Sequence, residues 1–345
     1  MIFKRLSGWL FLVSLVILLL CYRQVGASSF NFAVEIEKPA NQKDAKKGYF
    51  DLLVSSGQTQ QLKVKLTNST NKAVTIRPKI ASATTNNSGV VDYSPSKKKR
   101  DATMPYDVTK WLTVPREITI AADSTYLLPI EVAIPDEKFS GTVVAGLTLT
   151  EERPETKAST GDGGMAIDNR YAYVVGFELR QSTEKITPQL ELKKVFASQR
   201  NYRNIVAATI QNKTSTFVNQ LQVEGQVTRK GQTKVLYESS TTMMQMAPNT
   251  NFDYPIALGE GERLQAGDYT LKMTASSFKE KWQWQKDFTI TSAKAKEYND
   301  TDVTVQNSYF WFYSGGISVA LFLIGLWLYL RKKRQQNRGG SNDEK

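Results

Sequence analysis

Carboxylates are the main acid–base groups this sequence offers, because its 345 residues include no histidine and a single cysteine, Cys21. Triads that pass a proton through imidazole, Cys–His pairs, and zinc sites built on His or Cys are thereby excluded. The acids that sit close together, Asp101 with Asp107 and Asp136 with Glu137, fall in loop-like stretches. No local pattern there marks a general acid whose pKa is raised for proton donation. We expect no catalytic residue, no metal and no cofactor. Two acids meeting across loops keep a carboxylate-based hydrolase or polysaccharide-modifying accessory as the alternative of another class.

Two further stretches are of a kind that meets ligands. In "SPSKKKRDATMPYD", Lys97, Lys98, Lys99 and Arg100 stand among turn formers, so they read as a solvated loop or as a contact for an anionic polymer. The glycine-rich "PIALGEGERLQAGDYTLKM" raises the question of a phosphate loop. Such a loop needs a following helix whose N-terminus meets the anion, whereas "DYTLKMTAS" alternates as a strand does. The stretch also has a counterpart, "PIEVAIPDEKFSGTVVAGL": Pro129 stands 12 positions before Gly141, as Pro255 does before Gly267. Both copies read Pro-Ile, strand, polar turn, an apolar residue (Phe139, Leu264), then a glycine opening a new strand. The second copy therefore reads as a sandwich corner, with Gly267 supplying the backbone conformation and Tyr269 returning its hydroxyl to upstream backbone.

The elements that must position these residues are strands. "QQLKVKLTN" sets Leu62, Val64 and Leu66 on one face and Lys63 and Lys65 on the other, and Tyr126 to Ile134 alternate likewise. Further strands are predicted at 142–150, 171–180, 204–211, 220–229, 234–238, 269–275 and 282–291. "TRKGQTK" reads as a hairpin turn around Gly231. Trp111, Trp282, Trp284 and the Met-rich "MMQMAP" read as core or strand-edge residues, and no amphipathic helix is predicted between the two ends. The fold class is all-β, with two tandem immunoglobulin-like β-sandwich domains at 28–182 and 183–292. The polar stretch 151–170 reads as a mobile loop, and 293–308 as a stalk.

The ends are apolar. Lys4 and Arg5 precede an uncharged run to Leu20, and Val25 and Ala27 occupy the positions a signal peptidase reads, so 1–27 is expected to be a secretory signal. Cys21 would leave with it, and the remaining chain has to be stable without disulfides. From Tyr309 to Leu330 there is no charge over a length suited to about 30 Å of hydrocarbon. A single C-terminal transmembrane α-helix is expected at 309–330, with "RKKR" holding the tail 331–345 in the cytoplasm and the N-terminal part outside. The formal net charge is +12; without the three basic groups of the leader and the net four of the tail, about +5 is left, too mild to call for nucleic acid.

The stretches "GYFDLLVSSGQTQQLKVKLTNSTNKAVTI", "PYDVTKWLTVPREITI" and "VAIPDEKFSGTVVAGLTL" resemble the first domain of the WxL-interacting proteins of Gram-positive bacteria. "ITPQLELKKV", "MQMAPNTNFDYPIAL", "LQAGDYTLKM" and "WQWQKDFTI" are similar to that family's second domain. Leader, two domains, membrane helix and basic tail appear in the family's order. The resemblance implies a non-enzymatic, membrane-anchored surface scaffold or adhesin. Its first domain would bind peptidoglycan, and its second WxL-domain proteins or host extracellular matrix proteins, with strand edges as one docking mode. It assigns no individual ligand residue; Lys97 to Arg100 and the loop 151–170 are the contact regions expected from the residues themselves. The Asn-x-Ser/Thr triplets at Asn68, Asn86, Asn212 and Asn299 carry no meaning as modification sites in a bacterium.

Overall fold

The structure, a computed structural model, describes residues 31–152, 171–305 and 320–331. The expected signal and the loop 153–170 lie outside the described residues. The expected membrane span does so in part: residues 320–331 are helical, and among the described residues no helix is long and apolar enough to cross a membrane.

The chain forms two compact units. The first comprises the described residues of Met1–Glu191 together with Gln211–Leu221 and Met243–Phe252; the second comprises Leu192–Ile210, Gln222–Thr242 and the described residues of Asp253–Lys345. The first unit therefore recruits strand ends from beyond residue 182, where sequence composition placed a boundary.

Alternation builds the first unit. In β3 (Thr59–Asn68), Leu62, Val64 and Leu66 are buried while Lys63 and Lys65 face solvent. β3 pairs antiparallel with β9 (Ser124–Ala133), setting Leu62 opposite Ile130 and Val64 opposite Leu128. β1 (Phe32–Glu37) and β7 (Leu112–Thr113) flank them in the order β1-β3-β9-β7. The facing sheet runs β2 (Phe50–Leu53), β11 (Ala172–Arg180), β10 (Val143–Glu151), β4 (Val74–Ser82), β8 (Ile118–Ile120). Its pairs are antiparallel except β2 with β11, which is parallel. Side chains from both sheets meet in one core, so this part is a two-sheet sandwich. Each of its fully buried aliphatic or aromatic residues contributes roughly 1.5–3 kcal/mol. Trp111 belongs to that core, against Phe139 and Tyr106 at 5.4 and 5.5 Å between ring centroids. A two-stranded ribbon, β5 (Thr84–Thr85) with β6 (Val91–Asp92), stands apart from both sheets.

The later strands form two more sheets. One is β12 (Leu190–Arg200), β13 (Arg203–Asn212) and β16 (Asn251–Ala257); the other is ordered β15 (Val235–Met246), β14 (Val218–Arg229), β17 (Gly267–Ser277), β18 (Glu280–Ile290). The Tyr254 hydroxyl of β16 donates to Val223 O of β14 at 3.1 Å, and Lys286 Nζ of β18 to Lys193 O of β12 at 2.6 Å, so the sheets face each other. Trp282 and Trp284 are half-buried on the inward face, opposite Ala275 and Met273.

One element corrects the sequence reading. Within the segment expected as a stalk, Ser292–Thr301 is an α-helix, α1, capped by the Thr291 hydroxyl, which accepts from Lys294 N at 3.3 Å. It is tied to the second unit by polar groups. Asn299 Oδ1 accepts from Leu264 N at 2.9 Å and from Asn204 Nδ2 at 2.9 Å, while Asn299 Nδ2 donates to Leu264 O at 2.9 Å. Only Ala295 of the helix is buried. An apolar stripe is the signal by which a sequence announces a docked helix, and this helix docks without one.

Candidate functional site

The basic run lies on the loop between β6 and the 3-10 turn Val108–Lys110. Asp101 fixes that loop. Its Oδ1 accepts from Thr103 N (2.8 Å), Thr103 Oγ1 (2.7 Å) and Gln211 Nε2 (2.7 Å), and its Oδ2 accepts from Asn251 Nδ2. Burial alone would raise this carboxyl, but the hydrogen bonds from Asn251, Thr103 and Gln211 outweigh it and hold the group below the usual carboxylate range. Asp107 closes the loop's other end, its Oδ1 accepting from Thr109 Oγ1 at 2.6 Å.

Between loop and sheet lies a cavity of about 330 Å³, with Lys79, Lys98, Lys99, Arg100, Asp101 and Asn251 among its walls. Lys98 Nζ donates to the carbonyls of Thr85 (3.3 Å) and Asn251. Arg100 Nη1 stands 3.6 Å from Asp107 Oδ2 with about half of its side chain exposed. Three of the four basic residues singled out in the sequence, Lys98, Lys99 and Arg100, thus line one cavity, joined by Lys79 from β4; Lys97 is not part of its wall. The arrangement can hold an anionic or hydrogen-bonding polymer segment. It is poorly suited to acid catalysis, because Asp101 is fixed in the ionised form rather than held protonated. Among the described residues no three His, Cys, Asp or Glu side chains converge as metal ligands.

A second charged group escaped the sequence reading. On the outer side of β2 and β11, Lys47 Nζ lies 2.8 Å from Asp51 Oδ2 and 3.7 Å from Glu178 Oε2, and Arg180 contacts both Asp51 (3.3 Å) and Glu178. Burial would lower the Lys47 ammonium, yet Asp51, Tyr49 and Glu178 hold it above its ordinary value. The four residues are balanced in charge and cover the rim of β2. Residues 47 and 178 are so far apart in sequence that no local spacing signals the cluster.

The corner around Tyr269 belongs to the second unit. The Tyr269 hydroxyl donates to Gln265 O at 2.7 Å, and Arg229 spans the ring at 4.4 Å from its centroid while bonding Ala266 O at 2.9 Å. Gly267 has φ 137°, and a Cβ there would lie 2.2 Å from the Arg229 guanidinium, so the position requires glycine. The corner's Tyr269 hydroxyl and Arg229 guanidinium are consumed internally.

With this geometry in place, the comparison with known families separates the two halves. Residues 32–151 match the profile described as WxL Interacting Protein, peptidoglycan binding domain, and residues 162–300 match WxL Interacting Protein, host binding domain. The chain belongs to the WxL-interacting protein family. The basic loop and its cavity wall in β4 fall in the first match, and the corner with β12 to β18 in the second. A cell-surface binding role follows from the two domains. No curated protein matches the sequence. Similarity to solved structures is distant. The YadV chaperone shares 12% identity over 75% of this chain and 100% of that chain at a TM-score of 0.29. The SafB chaperone bound to the Salmonella enterica SafA pilin shares 9% over 76% and 98% at 0.30. The E. coli chaperone DraB shares 11% over 75% and 98% at 0.27.

Proposed function

We propose that this family member is a non-enzymatic, membrane-anchored surface scaffold, built of immunoglobulin-like sandwiches, that grips peptidoglycan through its first domain and holds a WxL-domain protein or a host matrix protein through its second. The observation that carries the reading is the pair of family matches, in that order, on one chain. The cavity beside Lys98, Lys99 and Arg100 supports the first half, since a loop pinned by Asp101 presents cations without moving them. Anchoring is supported by residues 321–330, where Leu321, Phe322, Leu323, Ile324, Trp327 and Leu328 are exposed on a helix with no protein surface over them among the described residues. Arg331 lies 5.2 Å over the Trp327 ring, a pairing suited to a membrane interface. Secretion by the leader 1–27 puts the binding domains outside.

The test is co-sedimentation of the full chain, in nanodiscs, with purified sacculi. Retention without soluble fragments is expected, and the double variant K99A/R100A should lower retention several-fold at low salt, the difference closing as salt is raised. Muropeptide release would instead establish hydrolysis. Retention insensitive to both salt and the double variant would move the wall contact off this loop.

A further inference from the structure

Every sheet has two edges, and an edge is a row of unpaired backbone donors and acceptors that the protein has to cover, shorten or charge. In the two facing sheets of the first unit each edge is treated. β1 carries Glu35 and Glu37; β7 and β8 have two and three residues. β2 is covered by an isolated bridge from Gln42 to Leu52 and by bonds from Lys43 N to Asp51 O (2.7 Å) and Leu53 N to Asn41 O (3.1 Å). Three of the four later edges are treated as well: β12 carries Glu191, Lys193 and Lys194, β16 carries Asp253 and Pro255, and β18 carries Glu280, Lys281, Lys286 and Asp287.

β15 is the exception. It is among the longest strands, 12 residues, and from Val235 to Met246 it has no lysine, arginine or proline and a single charge, Glu238. It ends the sheet order, and among the described residues the first backbone bond on its outer side comes at Gln245, whose N donates to Gly89 O at 2.7 Å. Val235 to Thr242, inside the second unit, lie before that point. This stretch is also held in place from within: the Tyr254 hydroxyl lies 3.0 Å from Ser239 Oγ and 3.2 Å from Thr241 Oγ1. A fixed row of free peptide groups about 26 Å long names its own complement, an extended chain.

We propose that Val235–Thr242 of β15 is a docking edge that receives an extended segment of a protein partner as an additional strand. The proposal deepens the reading of the second domain as partner-binding and rests on it. The flanking side chains specify the segment. On the inner face it would lie beside Tyr237, Ser239 and Thr241, which suits small uncharged or β-branched residues; on the outer face it would pass Glu238, which suits a lysine or arginine. A second copy of this chain meets the second requirement poorly, because its own β15 has no cation to set against Glu238.

Hydrogen–deuterium exchange on the full chain in nanodiscs, alone and with a purified WxL-domain protein, tests this. In the free chain the outward amides of 235–242 should exchange quickly; protection there would show the edge already covered and overturn the proposal. With the partner, protection should appear in 235–242, and proline scanned through Ser240 and Thr241 should separate the two backbone directions. The outward-facing position keeps the melting temperature and weakens binding by about tenfold or more, while the inward one loses a ladder bond and melts early. Glu238→Lys should weaken binding several-fold at low salt without destabilising the sheet. Binding that protects other residues and ignores these variants overturns the docking edge while leaving the partner reading intact. Absence of any binding overturns the partner reading and the edge with it. Protection accompanied by a concentration-dependent dimer of the chain alone replaces the partner by a second copy.

Discussion

Asn68 and Asn212 end β3 and β13 in the same way, yet the sheets around the two residues differ at their edges. Both stand in the pattern Asn-x-Thr-x-x-x-Val, and both side chains are fully buried. Asn68 Nδ2 donates to Lys72 O (2.7 Å), Ala121 O (2.8 Å) and Ile120 O (3.2 Å), and its Oδ1 accepts from Thr70 N (2.9 Å) and Thr70 Oγ1 (2.7 Å). Asn212 Nδ2 donates to Thr216 O (2.7 Å) and Ala247 O (3.0 Å), and its Oδ1 accepts from Thr214 N (3.2 Å) and Oγ1 (2.8 Å). One amide thus knots the turn to itself and to a later segment, and the chain uses the knot twice. The strands next to each knot then diverge. The first copy's sheet edges are short, charged or covered, whereas the second copy has the bare β15. Buried hydrogen bonds of one kind hold both turns, and it is at the sheet edges that the two copies differ.

Removing the knots is the hardest test of that equivalence. Asn68→Ala and Asn212→Ala each leave buried carbonyls without donors, and each should cost about 2–4 kcal/mol, Asn68 the more because it serves three carbonyls. Urea unfolding of the two variants measures this. A full loss for one and under about 1 kcal/mol for the other would show that the turns are alike in pattern only.

Acid gives the next largest effect, again in parallel places. Asp101 in the first unit and Asp302 in the second each accept several hydrogen bonds, Asp302 from Asn204 N (2.6 Å), Thr304 N (2.7 Å) and Thr304 Oγ1 (2.6 Å). Burial would raise both carboxyls, and the bonds more than reverse it, so both are held low. The unfolded chain takes up these protons near pH 3.9, roughly, while the folded chain resists until lower pH. The stabilisation is therefore complete above that value and drains away as pH falls through it. Asp101→Asn should flatten the acid limb of the transition reporting on the first unit and leave the limb reporting on Asp302 unchanged; Asp302→Asn should do the reverse. Identical flattening of both limbs by either variant would mean that the units unfold as one.

Much of this was written into local sequence. Strict alternation from Gln61 to Leu66 yields β3 directly, and the Pro-to-Gly spacing of 12 locates the turns before β10 and β17. β12 was missed because "LELKKVFAS" breaks its alternation at Lys193-Lys194, and α1 because its docking is polar. The four Asn-x-Ser/Thr triplets carry no meaning as modification sites, yet each asparagine anchors local structure; Asn86, for instance, accepts from Ser88 N at 2.9 Å. The recurrence of Asn-x-Thr-x-x-x-Val was the signal for two of them. For the site, the basic run was visible, but its cavity depends on Lys79 and Asn251, which reach it only through the sheet. The bareness of β15 became legible only once its place at the end of a sheet was known.

The smallest expected effect isolates the corner. Tyr269→Phe removes one hydroxyl whose partner, Gln265 O, lies at the protein surface, and leaves the ring stacked on Phe288 at 5.4 Å and under Arg229 at 4.4 Å. Water can replace the lost donor at that carbonyl, so the cost should be about 1 kcal/mol, or some 2–4 °C in melting temperature for a body of this size. The first copy supplies the control, because Val143 stands two residues after Gly141 where Tyr269 stands after Gly267. That copy closes its turn by a different route, Thr142 N donating to Ser215 O at 2.7 Å, and a Cβ on Gly141 would meet that same oxygen at 2.1 Å. Gly141→Ala should therefore cost more than Tyr269→Phe, since it forces backbone apart at a positive φ, while neither should alter partner binding measured on β15. Loss of binding in Tyr269→Phe at unchanged melting temperature would mean that the corner, and not the edge, is what the partner reads.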